Sequence, residues 1–329
     1  MLTIKGTPVE SLDRMDSDVG KGLARWFTLG HRKGVIEGWL ENVRPDGKLT
    51  SYCTGGVTNT YRRKHKLVAN IPKASDKVVL GKEMRSLFIA TLGMILVGHD
   101  AAALEARVMA HYTYKYDGGE FGHEILHGDI HSLNAKRFGI TRDQAKTLFY
   151  AVLYGAQPRK LQNTFGWGTK ESQRVFNGFW EENKALGLLR DRVIKVGKKY
   201  GYLPGIDGRA IKLRGSEHAW LNALFQSCGA IAMNYSMVFL HENCKELGIP
   251  FRQVVYYHDE IASEVPKESV EDFREIAEDS GKMPDKSKLF YSRYGEQAVL
   301  SIRQAGTFLN MRCQLDSDYQ VGSSWAEIH

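Results

Sequence analysis

Two acidic residues stand at the ends of apolar runs, where they could bind metal ions. Asp259 lies in His258-Asp259-Glu260, between Val254-Val255-Tyr256-Tyr257 and Ile261-Ala262-Ser263-Glu264-Val265. Asp100 follows Met94-Ile95-Leu96-Val97-Gly98-His99. Acidic residues are common in hairpin turns, so His258-Asp259-Glu260 alone reads as a solvated tip. A second acid in similar context shifts that reading, because strand-end carboxylates from distant sequence can converge on one sheet. Mg²⁺ takes oxygen ligands, usually one or two carboxylates plus substrate phosphates. Two such ions about 4 Å apart can activate an attacking hydroxyl and stabilise a leaving pyrophosphate. Asp100 and Asp259 are candidate shared ligands, and the carbonyl of Ala101 could complete the shell.

A second constellation runs from Thr141 to Gly155. Thr141 with Gln144 fits a capping box, and Gly155 is a natural terminator, so the spacing predicts a helix between them. Arg142, Lys146, Tyr150 and Tyr154 recur at every fourth position. Each such step turns ~40° about the axis, so the four share one broad face. That face offers two cations to a triphosphate and two rings to a base and sugar. An ordinary amphipathic helix would instead put its cations in solvent and its tyrosines inward, on different faces. Glu105 falls about one and a half turns after Asp100, close enough to line the same site. Asp100, Glu105 and Arg107 could equally form a helix-surface salt bridge.

These residues need a sheet to carry the acids and a helix to carry the cations. The spacing predicts a strand from Met94, a helix through Leu104, Val108 and His111, and a mostly helical stretch over 112–222. A long helix over about 217–246 ends at Gly248, and a β-hairpin spans 254–265. Leu23, Phe27, Val35, Ile36, Trp39 and Leu40 recur at helical spacing before a Pro45-Asp46-Gly47 turn. Residues 48–72 read as extended with a basic cluster, and residues 1–20 as polar and poorly ordered. Strands at both ends with helices between suggest an α+β domain interrupted by a helical insertion.

With 329 residues, 43% hydrophobic and 25% charged, the chain can bury a large core and is unlike a disordered protein. A net charge of +7 favours a polyanionic partner without proving one. The four cysteines, Cys53, Cys228, Cys244 and Cys313, form no CxxC pair, which argues against a zinc site or disulfide framework. No secretion signal or run of ~18 apolar residues is evident, so the reading is an intracellular protein with no membrane partner.

Together these segments resemble the family A (pol I-like) DNA polymerases, especially phage replicative enzymes. The first family motif, Asp-x-Ser-x-x-Glu-x-Arg, is met by Asp100-Ala101-Ala102-Ala103-Leu104-Glu105-Ala106-Arg107. The second is met by Arg142, Lys146, Tyr150, Tyr154 and Gly155, and the third, His-Asp-Glu in a hairpin, by His258, Asp259 and Glu260. Supporting segments follow the family's order: Asp129-Ile130-His131, Asn222 to Gln226, Thr58 to Arg62 with His65 and Asn70-Ile71-Pro72, and the ending from Gly322 through Trp325 to His329.

The resemblance implies a right-hand polymerase palm, an antiparallel sheet with helices, bearing a helical fingers insertion and with the thumb largely missing. Residues 1–50 would be a thumb remnant and N-terminal linker, 51–111 the first part of the palm, 112–222 the fingers and 223–329 the second part of the palm. It implies that Asp100, Ala101 and Asp259 hold two Mg²⁺ ions, for which Mn²⁺ can substitute, with Glu260 a supporting acid. Arg142, Lys146 and His131 would bind the triphosphate. Glu105, with Tyr150 beneath it, would exclude a 2′-hydroxyl. Tyr154 would hold the template site until the fingers close. Arg62, His65, Asn222, Gln226 and His258 would contact DNA near the primer end.

Three departures stand out. Ala102 replaces the usual Ser, which is not a ligand, and Tyr61 replaces the Gly of Thr-Gly-Arg, which puts the posture of Arg62 in question. Only 99 residues precede Asp100, too few for the family's exonuclease and most of its thumb. The expectation is a truncated piece or half of a split phage replicative polymerase. In the split case a separate chain carries the 3′–5′ exonuclease and thumb, and the pair works on primer-template DNA and dNTP in the cytoplasm of an infected bacterium. The rival readings are an RNA polymerase or reverse transcriptase, against which Glu105 argues, and a catalytically silent, polymerase-derived DNA-binding subunit.

Overall fold

Strand β3 (Met94–Ala101) and strand β7 (Glu260–Pro266) are the inner strands of a four-stranded antiparallel sheet, and their ends carry the acids. The computed structural model describes residue 12 and residues 17–68, 71–75, 78–272 and 290–328. Residues 1–11 and 13–16, Asn70 and His329 lie outside the described residues.

The chain enters through helix α1 (Asp18–Leu40), capped by the Ser17 side chain, which accepts from the Gly20 amide. Trp39 is buried near its end, whereas Val19 and Trp26 are 73% and 66% exposed. The Pro45-Asp46-Gly47 turn closes an isolated bridge between Val43 and Leu49. Short strands β1 (Tyr52–Thr54) and β2 (Lys64–Lys66) pair antiparallel, and helix α2 (Gly81–Ser86) leads into β3.

After β3 come α3 (Leu104–Asp117), α4 (Glu120–His127), α5 (Ile130–Phe138), α6 (Arg142–Leu153), α7 (Pro158–Phe165), α8 (Thr169–Glu182) and α9 (Lys184–Tyr200). They enclose a core including Val108, Met109, Leu148, Phe149, Leu161, Phe179 and Leu186. The helical expectation for 112–222 misses one feature, the hairpin of β4 (Tyr202–Pro204) and β5 (Ala210–Lys212). Its strands are too short for alternation to stand out, yet both centres, Leu203 and Ile211, are fully buried.

Helix α10 (Trp220–Glu246) joins the helical region to the sheet. It buries Leu224, Phe225 and Cys228 in the core of the helical region and Ile231, Met233 and Leu240 in the cores beside the sheet, at about 1.5–3 kcal/mol for each large apolar side chain. By length and composition it could cross a membrane, but this burial identifies it as a core helix. Strand β6 (Arg252–Tyr257) and β7 form the expected hairpin, followed by β8 (Val270–Asp272), β9 (Phe290–Ser292), α11 (Arg293–Phe308) and β10 (Ser317–Gly322). The sheet order is β10-β3-β7-β6, with α10 and α11 packed together over one face. The four cysteines are free.

Candidate active site

Backbone pairing brings the two aspartates together. Asp100 is registered opposite Glu260, and the Ala101 amide donates to the Asp259 carbonyl at 3.2 Å. On the other side of β3, Ser317 Oγ donates to the Asp100 carbonyl at 2.8 Å. Tyr257 pairs with Glu260, so His258 and Asp259 form a two-residue tip. His258 takes φ +63, as the first position of such a tight hairpin demands.

Glu260 turns inward and is only 3% exposed. Its Oε1 accepts the indole N–H of Trp325, and the Arg85 guanidinium lies 3.8 Å from its Oε2. Arg85 also donates to the Pro72 carbonyl at 3.0 Å and lies over the Trp325 ring, 4.6 Å from its centroid. This buried brace ties the hairpin tip to α2 and to the C-terminal segment. Sequence reasoning assigned nothing to Arg85, because an isolated arginine carries no sign of a partner 175 positions away.

Arg62, Glu105, Tyr154, Gln226, His258 and Asp259 line one cleft. The Tyr154 hydroxyl donates to Glu105 Oε2 at 2.9 Å. Burial raises the Glu105 carboxyl above its ordinary range; the Tyr154 bond and the Arg62 charge oppose that shift, and Asp259 adds to it. Burial, with the nearby Arg62 and His65, pushes His258 down to about 4. His65 packs edge-on against His258, with ring centroids 5.2 Å apart. Asn222 lies one turn before Gln226 on α10, and its Oδ1 is buried without a hydrogen-bond partner among the described residues.

Helix α6 begins with the expected capping box: Gln144 N–H donates to Thr141 Oγ1 at 3.2 Å, and Thr141 N–H to Gln144 Oε1 at 3.0 Å. It ends at Tyr154 and Gly155; Gly155 takes φ +88, and a Cβ there would lie 2.9 Å from the His218 carbonyl oxygen. Arg142 and Lys146 are exposed on this helix, with Tyr150 half-buried beyond them. Asp129, which caps α5, accepts from Arg142 Nε at 2.9 Å, and the bonds from Arg142 and Ser132 hold its carboxyl well below the usual range. His131 packs 6.0 Å from the Tyr150 ring; burial and then the charges of Arg142 and Lys146 lower its pKa.

Tyr61 adopts φ +61 where the resemblance has glycine. A left-handed side-chain-bearing residue costs about 1–2 kcal/mol, so its contacts must offset that strain. Its hydroxyl donates to the Ala210 carbonyl at 2.8 Å, and Arg209 lies over its ring at 4.4 Å. Thr58 Oγ1 donates to the Arg62 carbonyl at 2.6 Å.

Among the described residues, no three His, Cys, Asp or Glu side chains form a group able to hold a metal alone. The adjacent aspartates offer only hard oxygen donors, which suits Mg²⁺ completing its shell with substrate phosphates and water.

The sequence pattern of DNA polymerase family A matches residues 4–327. The chain is 28% identical to a DNA-directed DNA polymerase of Escherichia phage Phieco32, covering 99% of this chain and 63% of that one. It is 30% identical to the DNA-directed DNA polymerase of Escherichia phage T7, covering 88% of this chain and 42% of that one. The chain thus spans less than two thirds of these relatives. Among solved structures, the POL domain of Pol1 from M. smegmatis, in complex with DNA primer-template and dNTP, superposes with a TM-score of 0.77. That likeness covers 99% of this chain and 57% of that one at 20% identity, and so speaks to fold. The pattern match spans nearly the whole chain and the fold is that of a POL domain: this chain belongs to DNA polymerase family A.

Proposed function

We propose that this chain extends a DNA primer on a template, adding deoxynucleotides to the primer 3′-OH. The observation that carries the reading is the meeting of Asp100, on inner strand β3, with Asp259, in the tip that leads into β7, beside a cleft lined by Arg62, Glu105 and Tyr154. Asp100 and Asp259, with the Ala101 carbonyl, would hold two Mg²⁺ ions, and Mn²⁺ can take their place. Bound there, such ions would supply the positive charge that activates an attacking hydroxyl and stabilises a leaving pyrophosphate.

The residues of the chain supply position and charge, as phosphoryl transfer requires. Arg142, Lys146 and His131 bind the triphosphate, and Tyr150 lies beside the sugar. Glu105 crowds the 2′ position and so favours deoxynucleotides over ribonucleotides. Tyr154, bonded to Glu105, holds the template site until a paired nucleotide lets α6 close. Arg62, His65, Asn222, Gln226 and His258 contact the duplex near the primer end, while Glu260 supports Asp259 from its buried brace.

In this reading residues 51–111 and 223–329 are palm, 112–222 fingers and 1–50 a thumb remnant. A polypeptide bearing the 3′–5′ exonuclease and thumb packs on the exposed Val19, Leu23, Trp26 and Phe27 of α1, and the assembly works in the bacterial cytoplasm. The test is primer extension with Mg²⁺ by the wild type, Asp100→Ala and Asp259→Ala. Each substitution is expected to abolish incorporation and to leave duplex binding largely intact. Substantial activity in either variant refutes the metal assignment. Duplex binding without extension by the wild type, alone or with its partner, favours a silent DNA-binding subunit.

A further inference from the structure

We infer that Tyr61 is a positioning residue for Arg62, bolting the loop that carries this arginine to the β4–β5 hairpin. The inference rests on the primer-end role proposed for Arg62. Residues 58–63 form no regular structure, so their backbone lacks a ladder of its own. The hairpin, in contrast, is rooted in the core by the fully buried Leu203 and Ile211.

Two side chains of the loop reach this fixed platform. Tyr61 donates its hydroxyl to the Ala210 carbonyl at 2.8 Å, and Asn59 Nδ2 donates to the Lys212 carbonyl at 3.1 Å. The platform reaches back through Arg209, whose guanidinium lies 4.4 Å from the Tyr61 ring centroid. Asp207 fixes that guanidinium by a 2.6 Å bond to Nε. Tyr61 therefore holds a left-handed conformation, φ +61, that tyrosine rarely takes. Backbone held in such a region persists only where surrounding contacts over-determine it, and such strain clusters where positioning matters.

The next residue is the one that benefits. Arg62 leaves the bolted loop to line the cleft with Glu105, Gln226, His258 and Asp259. A residue that merely filled space could be any apolar side chain in a relaxed conformation. Here the strained residue sits directly before the arginine, and its hydroxyl is spent on a backbone carbonyl of another element.

The test is a double-mutant cycle of Tyr61→Phe and Arg62→Ala, read on the full chain by extension of matched and mismatched primer ends. Losing one neutral hydrogen bond should lower extension from a matched end about five-fold. The KM for nucleotide should stay within about two-fold and discrimination against the mismatched end should narrow. In the Arg62→Ala background the same substitution should have no further effect, because coupled residues are non-additive. Tyr61→Gly, which relieves the backbone but removes the bolt, should reproduce the loss although the backbone strain is gone. Equal losses in both backgrounds, or no loss in Tyr61→Phe and Tyr61→Gly, overturn the inference. If the wild type binds primer-template but does not extend it, the same cycle is read by the affinity for that duplex. Failure of the polymerase reading and failure of this one then give different results.

Discussion

Replacing Arg85 by Met should destabilise the protein by more than any surface charge change would. Arg85 is 2% exposed and Glu260 3%, so the substitution removes a buried charge partner from an interior carboxyl group. Breaking a buried pair from one side costs about 3–5 kcal/mol, far more than the pair's own net worth. The 3.8 Å separation makes this a charge pair without a hydrogen bond, which favours the lower end, about 3 kcal/mol. For 329 residues at about 2.1 cal/mol/K each, that corresponds to a fall in Tm of about 4 °C. Scanning calorimetry would measure it. Adding Glu260→Leu to the Arg85→Met chain should recover at least half of the loss, since an apolar pair can replace a buried ionic one at little cost. A single variant within about 1 °C of the wild type would refute the argument, as would a double variant less stable than the single.

Two further predictions concern the helical region. Gly155→Ala should cost about 1–3 kcal/mol in chemical denaturation, because φ +88 and a 2.9 Å approach to the His218 carbonyl both oppose a Cβ; a change below about 0.5 kcal/mol would contradict it. His131 has a folded pKa below its unfolded value, so its contribution is present above the ordinary histidine pKa and is lost as pH falls through the lowered one. Stability measured against pH should fall on acidification in that window, and His131→Gln should flatten the slope; an unchanged slope would remove His131 as its source.

Local pattern made much of this architecture legible. Ile261 to Val265 and Val254 to Tyr257 are long enough, and apolar enough, for a hairpin to be read, and Thr141, Gln144 and Gly155 mark both ends of α6. Residues at fixed spacing within one element group by arithmetic, as Arg142, Lys146, Tyr150 and Tyr154 do at every fourth position. Contacts between distant elements left no such mark. β10 pairs with β3 across more than two hundred residues, and nothing in Ser317 to Gly322 names its neighbour. The β4–β5 hairpin has three residues per strand, too few for a period to emerge. Tyr61 is the instructive case: its departure from glycine was visible, but the Ala210 carbonyl and Arg209 ring contact that make it tolerable were not.

With Asp100 on an inner strand and Asp259 in the tip that leads into the other, the proposed reading would separate the chemistry from the helix that selects the nucleotide. Strands β3 and β7 are each gripped on both edges, and the Ala101 amide holds the Asp259 carbonyl, so a rotation of α6 as proposed would leave the backbone that carries the two aspartates in register. On that reading, a mispaired nucleotide would stall the helix while the proposed metal-binding backbone stays in register, ready for the next attempt.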